Sequence, residues 1–124
     1  MKYTIDKHER YVVIEPLRKE IDGKAAHYLK AEFMLRNTAG QRNIVLDLNQ
    51  VTDINEDGVR MGLLAHRLCS ALGGVFIIIN MNSTVYNVLK VLHLDKHFTI
   101  LKSLTDAEDM IFGIELQRDL IKGK

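Results

Sequence analysis

Residues 44–64, IVLDLNQVTDINEDGVRMGLL, read as a buried strand, a short polar turn and the start of an apolar helix. Ile44, Val45, Leu46 and Leu48 form a β-rich apolar run of the kind covered on both faces of a sheet. Val51-Thr52-Asp53-Ile54 carries the chain across the sheet edge. Asn55-Glu56-Asp57-Gly58 supplies a helix start: Asn55 is placed to cap, and two carboxylates fall at the positive end of the helix dipole. Behind them Met61, Leu64, Leu68 and Leu72 recur at roughly helical spacing and are expected to be the buried stripe. A polar turn aimed from a buried strand into a helix presents its side chains outward, and the rest of the chain is expected to hold it in place.

Upstream, Tyr3–Asp6 and Tyr11–Ile14 are strand-like and joined by charged residues, which predicts an antiparallel pair. Pro16, the single proline, lacks a ladder donor and marks the end of that pair or an irregular edge. Asp22 is a candidate cap for a helix through about Asn37, with Ala26, Leu29, Phe33 and Leu35 on the apolar side. The strand at 43–48 and the helix at 57–72 follow, stopped by Gly73-Gly74. Val75–Ile79 is uninterrupted apolar sequence, which favours a central parallel strand. Asn82 or Ser83 opens a third helix with Val85, Val88, Leu89 and Leu92 inward. Phe98–Leu101 is a short strand. Ser103 or Thr105 opens a last helix with Ala107, Met110, Ile111, Ile114 and Leu116 available for packing, and residues 118–124 are expected to fray. The order β-β-α-β-α-β-α-β-α predicts a single α/β domain over residues 1–124: a mostly parallel sheet of four or five strands, an N-terminal hairpin and about four helices.

Composition narrows function. The chain has 124 residues, 47% apolar and 27% charged, the balance of an ordinary globular domain large enough to bury a core. Seventeen basic against sixteen acidic side chains leave a net charge of +1, which argues against a dedicated nucleic-acid or anionic-membrane surface. The single cysteine, Cys69, falls near the buried stripe and reads as a core hydrophobe; one cysteine cannot form an internal disulfide. MKYTIDKHER lacks the apolar stretch of a secretory leader, and no run approaches the ~20 apolar residues of a membrane span, so the expected location is the cytoplasm.

The chain resembles the STAS family of bacterial anti-sigma factor antagonist domains over roughly residues 3–116. The resemblance rests on Ile44-Val45-Leu46-Asp47-Leu48 followed by Val51-Thr52-Asp53-Ile54-Asn55-Glu56-Asp57-Gly58, where the family has an Asp-Ser-Ser-Gly turn. Glu20-Ile21-Asp22, Gly73-Gly74-Val75 and Val88-Leu89-Lys90-Val91-Leu92 support it. It implies a protein-binding regulator whose first turn serine is phosphorylated by a kinase-like anti-sigma factor, the added charge of about −1.5 to −2 remaking the docking surface. Here Asn55 stands for the aspartate, Glu56 for the acceptor serine and Asp57 for the second serine, while Gly58 remains. Glu56 offers no hydroxyl to a serine kinase, so the resemblance implies a fixed acidic site rather than a switch. It also points to the second helix as partner surface, with Arg60, Leu63 and Arg67 as docking candidates beside Asn55, Glu56, Asp57 and Gly58. Two further departures are Lys19, where glycine is common, and His93, where a helix-closing glycine is common and a left-handed conformation is therefore expected.

Other constellations are weaker. His93 and His97 lie four apart around Asp95, but they span a helix end and no third ligand is evident. His8, His27 and His66 are expected at the surface. Glu56 and Asp57, being adjacent on a helix, point in different directions and have no companion base, so no catalytic set is assigned. Thr52 and Ser83 carry hydroxyls near the turn and read as turn and cap residues. The expectation is a non-enzymatic protein without metal or cofactor that docks an anti-sigma kinase or related regulator, with a homodimer compatible. The alternative is a structural STAS subunit of a lipid-transport ATPase or of a stressosome-like assembly.

Overall fold

A computed structural model describes residues 2–122. The strands β1 (Tyr3–Lys7), β2 (Val12–Pro16), β4 (Ile44–Asp47), β6 (Phe76–Ile79) and β7 (Thr99–Leu101) form one sheet in the order β1-β2-β4-β6-β7. The β1–β2 pair is antiparallel, Tyr3 opposite Pro16, and every other neighbour is parallel. The helices are α1 (Gly23–Thr38), α2 (Glu56–Ala71), α3 (Ser83–Val91) and α4 (Leu104–Lys122). The expected single α/β domain with an N-terminal hairpin is the architecture found among the described residues. No described helix is long and apolar enough to cross a membrane.

Alternation along each strand divides the core. Val12, Ile14, Ile44, Leu46, Phe76 and Ile78 face α1, α2 and α3, where Phe33, Phe76 and Phe98 meet edge to face at centroid distances of 5.8 and 6.3 Å. Tyr11, Val13, Val45, Ile77 and Ile79 face the other way and are covered by Ala107 and Ile111 of α4. Thus α4 stands on one side of the sheet and α1, α2 and α3 on the other.

Two short strands were not expected. Glu20–Ile21 is β3 and Asp53–Ile54 is β5, and they pair in parallel as a separate two-stranded sheet. Residues 51–54 therefore do more than cross the sheet edge; they bind the segment that precedes α1.

Several packing expectations shift. The buried stripe of α2 is Gly58, Val59, Met61, Gly62, Ala65 and Cys69, while Leu64 and Leu68 flank it and Leu72 lies exposed at the helix end. The cause is size: a Cβ on Gly62 would sit 3.3 Å from Phe98 Cζ, so the helix turns its small residues toward the closest neighbours. Leu35 points to solvent, because Phe33 two residues earlier already takes the core direction. Glu32 occupies the buried position instead, accepting the Tyr3 hydroxyl at 2.8 Å and paired with Arg36 at 2.8 Å. Leu92, Met110 and Leu116 are also exposed.

Residues 118–122 are helical rather than frayed, since two polar anchors hold the end of α4. Arg118 Nη1 donates to the carbonyls of Leu72 and Gly73 at 3.3 and 3.0 Å, capping the end of α2. Glu115, buried, accepts from Arg42 Nε and Nη2 at 3.0 and 2.7 Å and from Asn43 Nδ2 at 2.6 Å. Residues 123 and 124 of the expected tail lie outside the described residues. His93 does adopt the left-handed conformation (φ 59°) just past α3, and Asn80 adopts it after β6 (φ 57°).

Candidate functional site

The site is built by repetition. Glu20-Ile21-Asp22 and Asp53-Ile54-Asn55 share a pattern of acid, isoleucine and cap residue, and β3–β5 pairing sets Glu20 opposite Asp53 and Ile21 opposite Ile54. The next residue on each strand is a helix cap. Asp22 Oδ1 accepts from Ala25 N at 2.9 Å, and Asn55 Oδ1 accepts from Gly58 N at 3.1 Å. The backbones are tied directly: Asn55 N donates to Ile21 O, and both Thr52 N and Asp53 N donate to Lys19 O. Hence α1 and α2 begin side by side, close enough that a Cβ on Gly23 would meet Asp57 Oδ2 at 2.8 Å.

The start of α3 joins the same end. Asn82 Oδ1 caps it by accepting from Val85 N at 2.8 Å, while Asn82 Nδ2 donates to Thr52 O at 3.2 Å. Ser83 is the exposed first residue of α3, and Thr52 Oγ1 donates to Lys19 O at 3.1 Å. Thr52 serves the turn as expected, whereas the cap of α3 is Asn82 and not Ser83. The converging helix starts lie beyond the carboxyl ends of β4 and β6, where parallel α/β sheets place their binding surfaces.

Glu56 and Asp57 project from the first turn of α2 into solvent. Arg60 is their common partner: its Nη2 donates to Glu56 Oε1 at 2.7 Å and its Nη1 to Asp57 Oδ1 at 3.2 Å. The turn is therefore a partly neutralised triad, two carboxylates against one guanidinium, with a net charge of about −1, less acidic than two carboxylates alone. Gly58 is pressed beneath it; a Cβ there would stand 2.4 Å from Ile54 Cγ1 and 3.0 Å from Ile21 Cγ2. Only glycine lets α2 start this close to the two-stranded sheet. Asp22, at the start of α1, is held below the usual carboxylate range by the Ala25 amide and by Arg18.

From this turn a groove runs between α1 and α2. Buried Ala26 and Met61 lie at its base, half-buried Leu63 and Leu64 along it, and His27, Lys30, Arg60 and Arg67 border it. The structure thus gathers the turn, Arg60, Leu63 and Arg67 into one surface. Leu63 also packs against the main core, so it is only partly available to a partner. Sequence reading missed the α1 side of this groove, His27 and Lys30. It also missed the juxtaposed caps, although the repeated acid-isoleucine-cap pattern was a signal for them.

The remaining reactive groups are elsewhere. His66 and His97 lie with ring centroids 4.7 Å apart and planes tilted by 57°, and burial together with the His97 imidazole holds His66 below the usual histidine range. His66 is half-buried rather than a free surface residue. No group of three His, Cys, Asp or Glu side chains with metal-binding geometry occurs among the described residues. Burial pushes the Cys69 thiol up to about 12, which makes it inert as a nucleophile.

A profile of the STAS domain matches residues 2–107. Among curated proteins, no sequence matches the chain. Solved structures with the same fold include a putative anti-sigma factor antagonist from Thermotoga maritima, 22% identical, with a TM-score of 0.80 over 88% of this chain and 93% of that one. The anti-sigma factor antagonist SpoIIAA in its unphosphorylated form is 23% identical, with a TM-score of 0.78 over 90% of this chain and 97% of that one. A chain from the stressosome, a signal integration and transduction hub, is 20% identical, with a TM-score of 0.66 over 90% of this chain and 98% of that one. With its profile match spanning most of its length and this fold throughout, the chain belongs to the STAS-domain family.

Proposed function

We propose that this protein is a non-enzymatic, cytoplasmic regulator that works by binding another protein, in the manner of an anti-sigma factor antagonist. The partner is a kinase-like anti-sigma factor or a related regulator, docked on the Asn55–Gly58 turn and the α1–α2 groove beside it. The observation that carries this reading is the β3–β5 register, which fixes two helix starts side by side and makes turn and groove one exposed surface. Because residue 56 is glutamate, the surface is not switched by serine phosphorylation there, and the partner meets a constant Glu56–Arg60–Asp57 triad.

A second reading, a subunit of a stressosome-like assembly, draws support from the fold shared with a stressosome chain and needs no phosphorylation cycle. Affinity capture from native lysate with wild type, Glu56→Gln, Glu56→Ser and Glu56→Lys separates the two. Recovery of a histidine-kinase-like protein that changes with residue 56 supports the antagonist. Equal recovery of a scaffold with all four proteins selects the assembly subunit and removes any docking role from Glu56.

A further inference from the structure

Charge is spread unevenly along the α1–α2 groove. The two helices run the same way, from Gly23 beside Asp57 to Asn37, whose Nδ2 donates to Leu68 O at 3.3 Å. Asp57 and Leu68 stand about 16 Å apart along α2, three helical turns. The acidic residues of both helices are Glu32, Glu56 and Asp57, and all are engaged within the protein. Glu32 is buried on the β1 side of α1 with Arg36 and Tyr3, while Glu56 and Asp57 share Arg60. Asp22, paired with Arg18, and the exposed Glu20 and Asp53 lie at the helix starts, the same end as the turn. Farther along, Lys30 of α1 and Arg67 of α2 border the groove from opposite banks. Both are exposed, and neither forms an ion pair among the described residues. His27 precedes Lys30 by about one turn on the same bank.

The groove is therefore acidic at its mouth and basic over its farther half, with an aliphatic floor of Ala26 and Met61 and with Leu63 and Leu64 beside it. Two free cations over aliphatic side chains are too few for a nucleic-acid track, which needs a row of them and stacking aromatics. The walls are helices whose backbone groups are already paired, so an extended segment laid between them would find no partners for its own N–H and C=O groups. A helix satisfies its backbone internally and needs only an apolar stripe to lie in such a trough.

We propose that the groove takes an acidic amphipathic helix of the partner protein. The apolar stripe of that helix lies over Leu63 and Leu64, and its carboxylates meet Lys30 and Arg67. This assignment rests on the docking reading above and adds to it the chemistry of the docked segment. Opposite charges at the rim steer the approach and set which helices are accepted, more than they add to raw affinity.

A phage-displayed library of helices about 15 residues long tests it, with leucine fixed along one face and the flanking positions randomised. Selection on the wild type is expected to enrich Asp and Glu at the flanking positions, and selection on Lys30→Glu/Arg67→Glu to enrich Lys and Arg. A synthetic peptide of the wild-type consensus is expected to shift the amide resonances of residues 26–30 and 60–67. It should bind Lys30→Glu/Arg67→Glu at least about tenfold more weakly, with a smaller loss for Lys30→Gln/Arg67→Gln. Lys24→Glu/Lys102→Glu changes the net charge equally outside the groove and is expected to bind as the wild type does. Absence of acidic enrichment overturns the proposal, as does a peptide that shifts resonances elsewhere or is indifferent to both changes at Lys30 and Arg67. The two readings fail distinguishably. A library without acidic enrichment, beside partner capture that changes with residue 56, removes this occupant alone. Capture indifferent to residue 56 removes the docking role of the turn whatever the library shows.

Discussion

Arg60 reaches back one turn of α2 to Glu56, Nη2 to Oε1 at 2.7 Å, with both side chains largely in water. Exposed pairs of this spacing contribute only about 0.3–0.5 kcal/mol to stability. Glu56→Gln is therefore expected to leave the urea midpoint almost unchanged, within about 0.5 kcal/mol, while releasing Arg60. Arg60→Ala leaves two unbalanced carboxylates. A partner that reads the turn's charge will respond oppositely to these two changes, and titration calorimetry with the captured partner checks it.

Gly58 tests how tightly the turn is built. Alanine ordinarily favours a helix by about 1 kcal/mol over glycine, yet here its methyl would overlap Ile54 and Ile21. Gly58→Ala is expected to destabilise by about 1–3 kcal/mol. Gly23→Ala meets only the movable Asp57 carboxylate, and is expected within about 1 kcal/mol of wild type or above it. Urea unfolding of the two variants supplies the comparison.

Acid should weaken the fold in two stages. His66 is held below its ordinary value of 6.5, so as pH falls through that value the unfolded chain takes up this proton first and stability drops until the folded chain is protonated too. His66→Leu is expected to flatten that segment. Glu115 lies below its ordinary 4.5, held there first by its hydrogen bond with Arg42 and then by Asn43. Its contribution is complete above that value and is lost as pH falls through its lower folded value. Glu115→Gln should shrink the second stage, leaving the part due to Asp22, and cost about 1.5–3 kcal/mol near neutral pH. Urea midpoints across a pH series report both.

Cys69 should be invisible to thiol reagents in the native state. It is 1% exposed and its thiol is raised to about 12, so labelling requires unfolding. Labelling kinetics should therefore rise steeply with urea and match the global unfolding transition. Fast labelling in native buffer would place α2 in a far looser packing than the structure has.

The main elements were legible because each carries a local signal. Asp22 and Asn55 could be named as caps from residue type and position, and the third cap narrowed to Asn82 or Ser83; the runs at 44–48 and 75–79 showed in their apolar character. The face of α2 was misread because Gly62 and Ala65 are too small to register as a hydrophobic stripe, although their smallness is what lets Phe98 approach. β3 and β5 are two residues each, too short for any periodicity, and reveal themselves only as partners. Within the site, Arg60 could have been paired with Glu56 from i,i+4 spacing alone. His27 and Lys30 could not have been placed there, because they reach the groove only through the packing of α1 on α2.

The two-stranded β3–β5 sheet also sets how the turn moves. Opening residues 52–55 would break the Lys19 and Ile21 hydrogen bonds and disturb both adjacent helix starts together. The amides of Thr52, Asp53, Asn55 and Ala25 should then exchange with solvent deuterium as one cooperative unit, well protected for so exposed a place. A segment that opens only as a unit arrives at its partner already ordered, and little conformational entropy remains to be lost on contact.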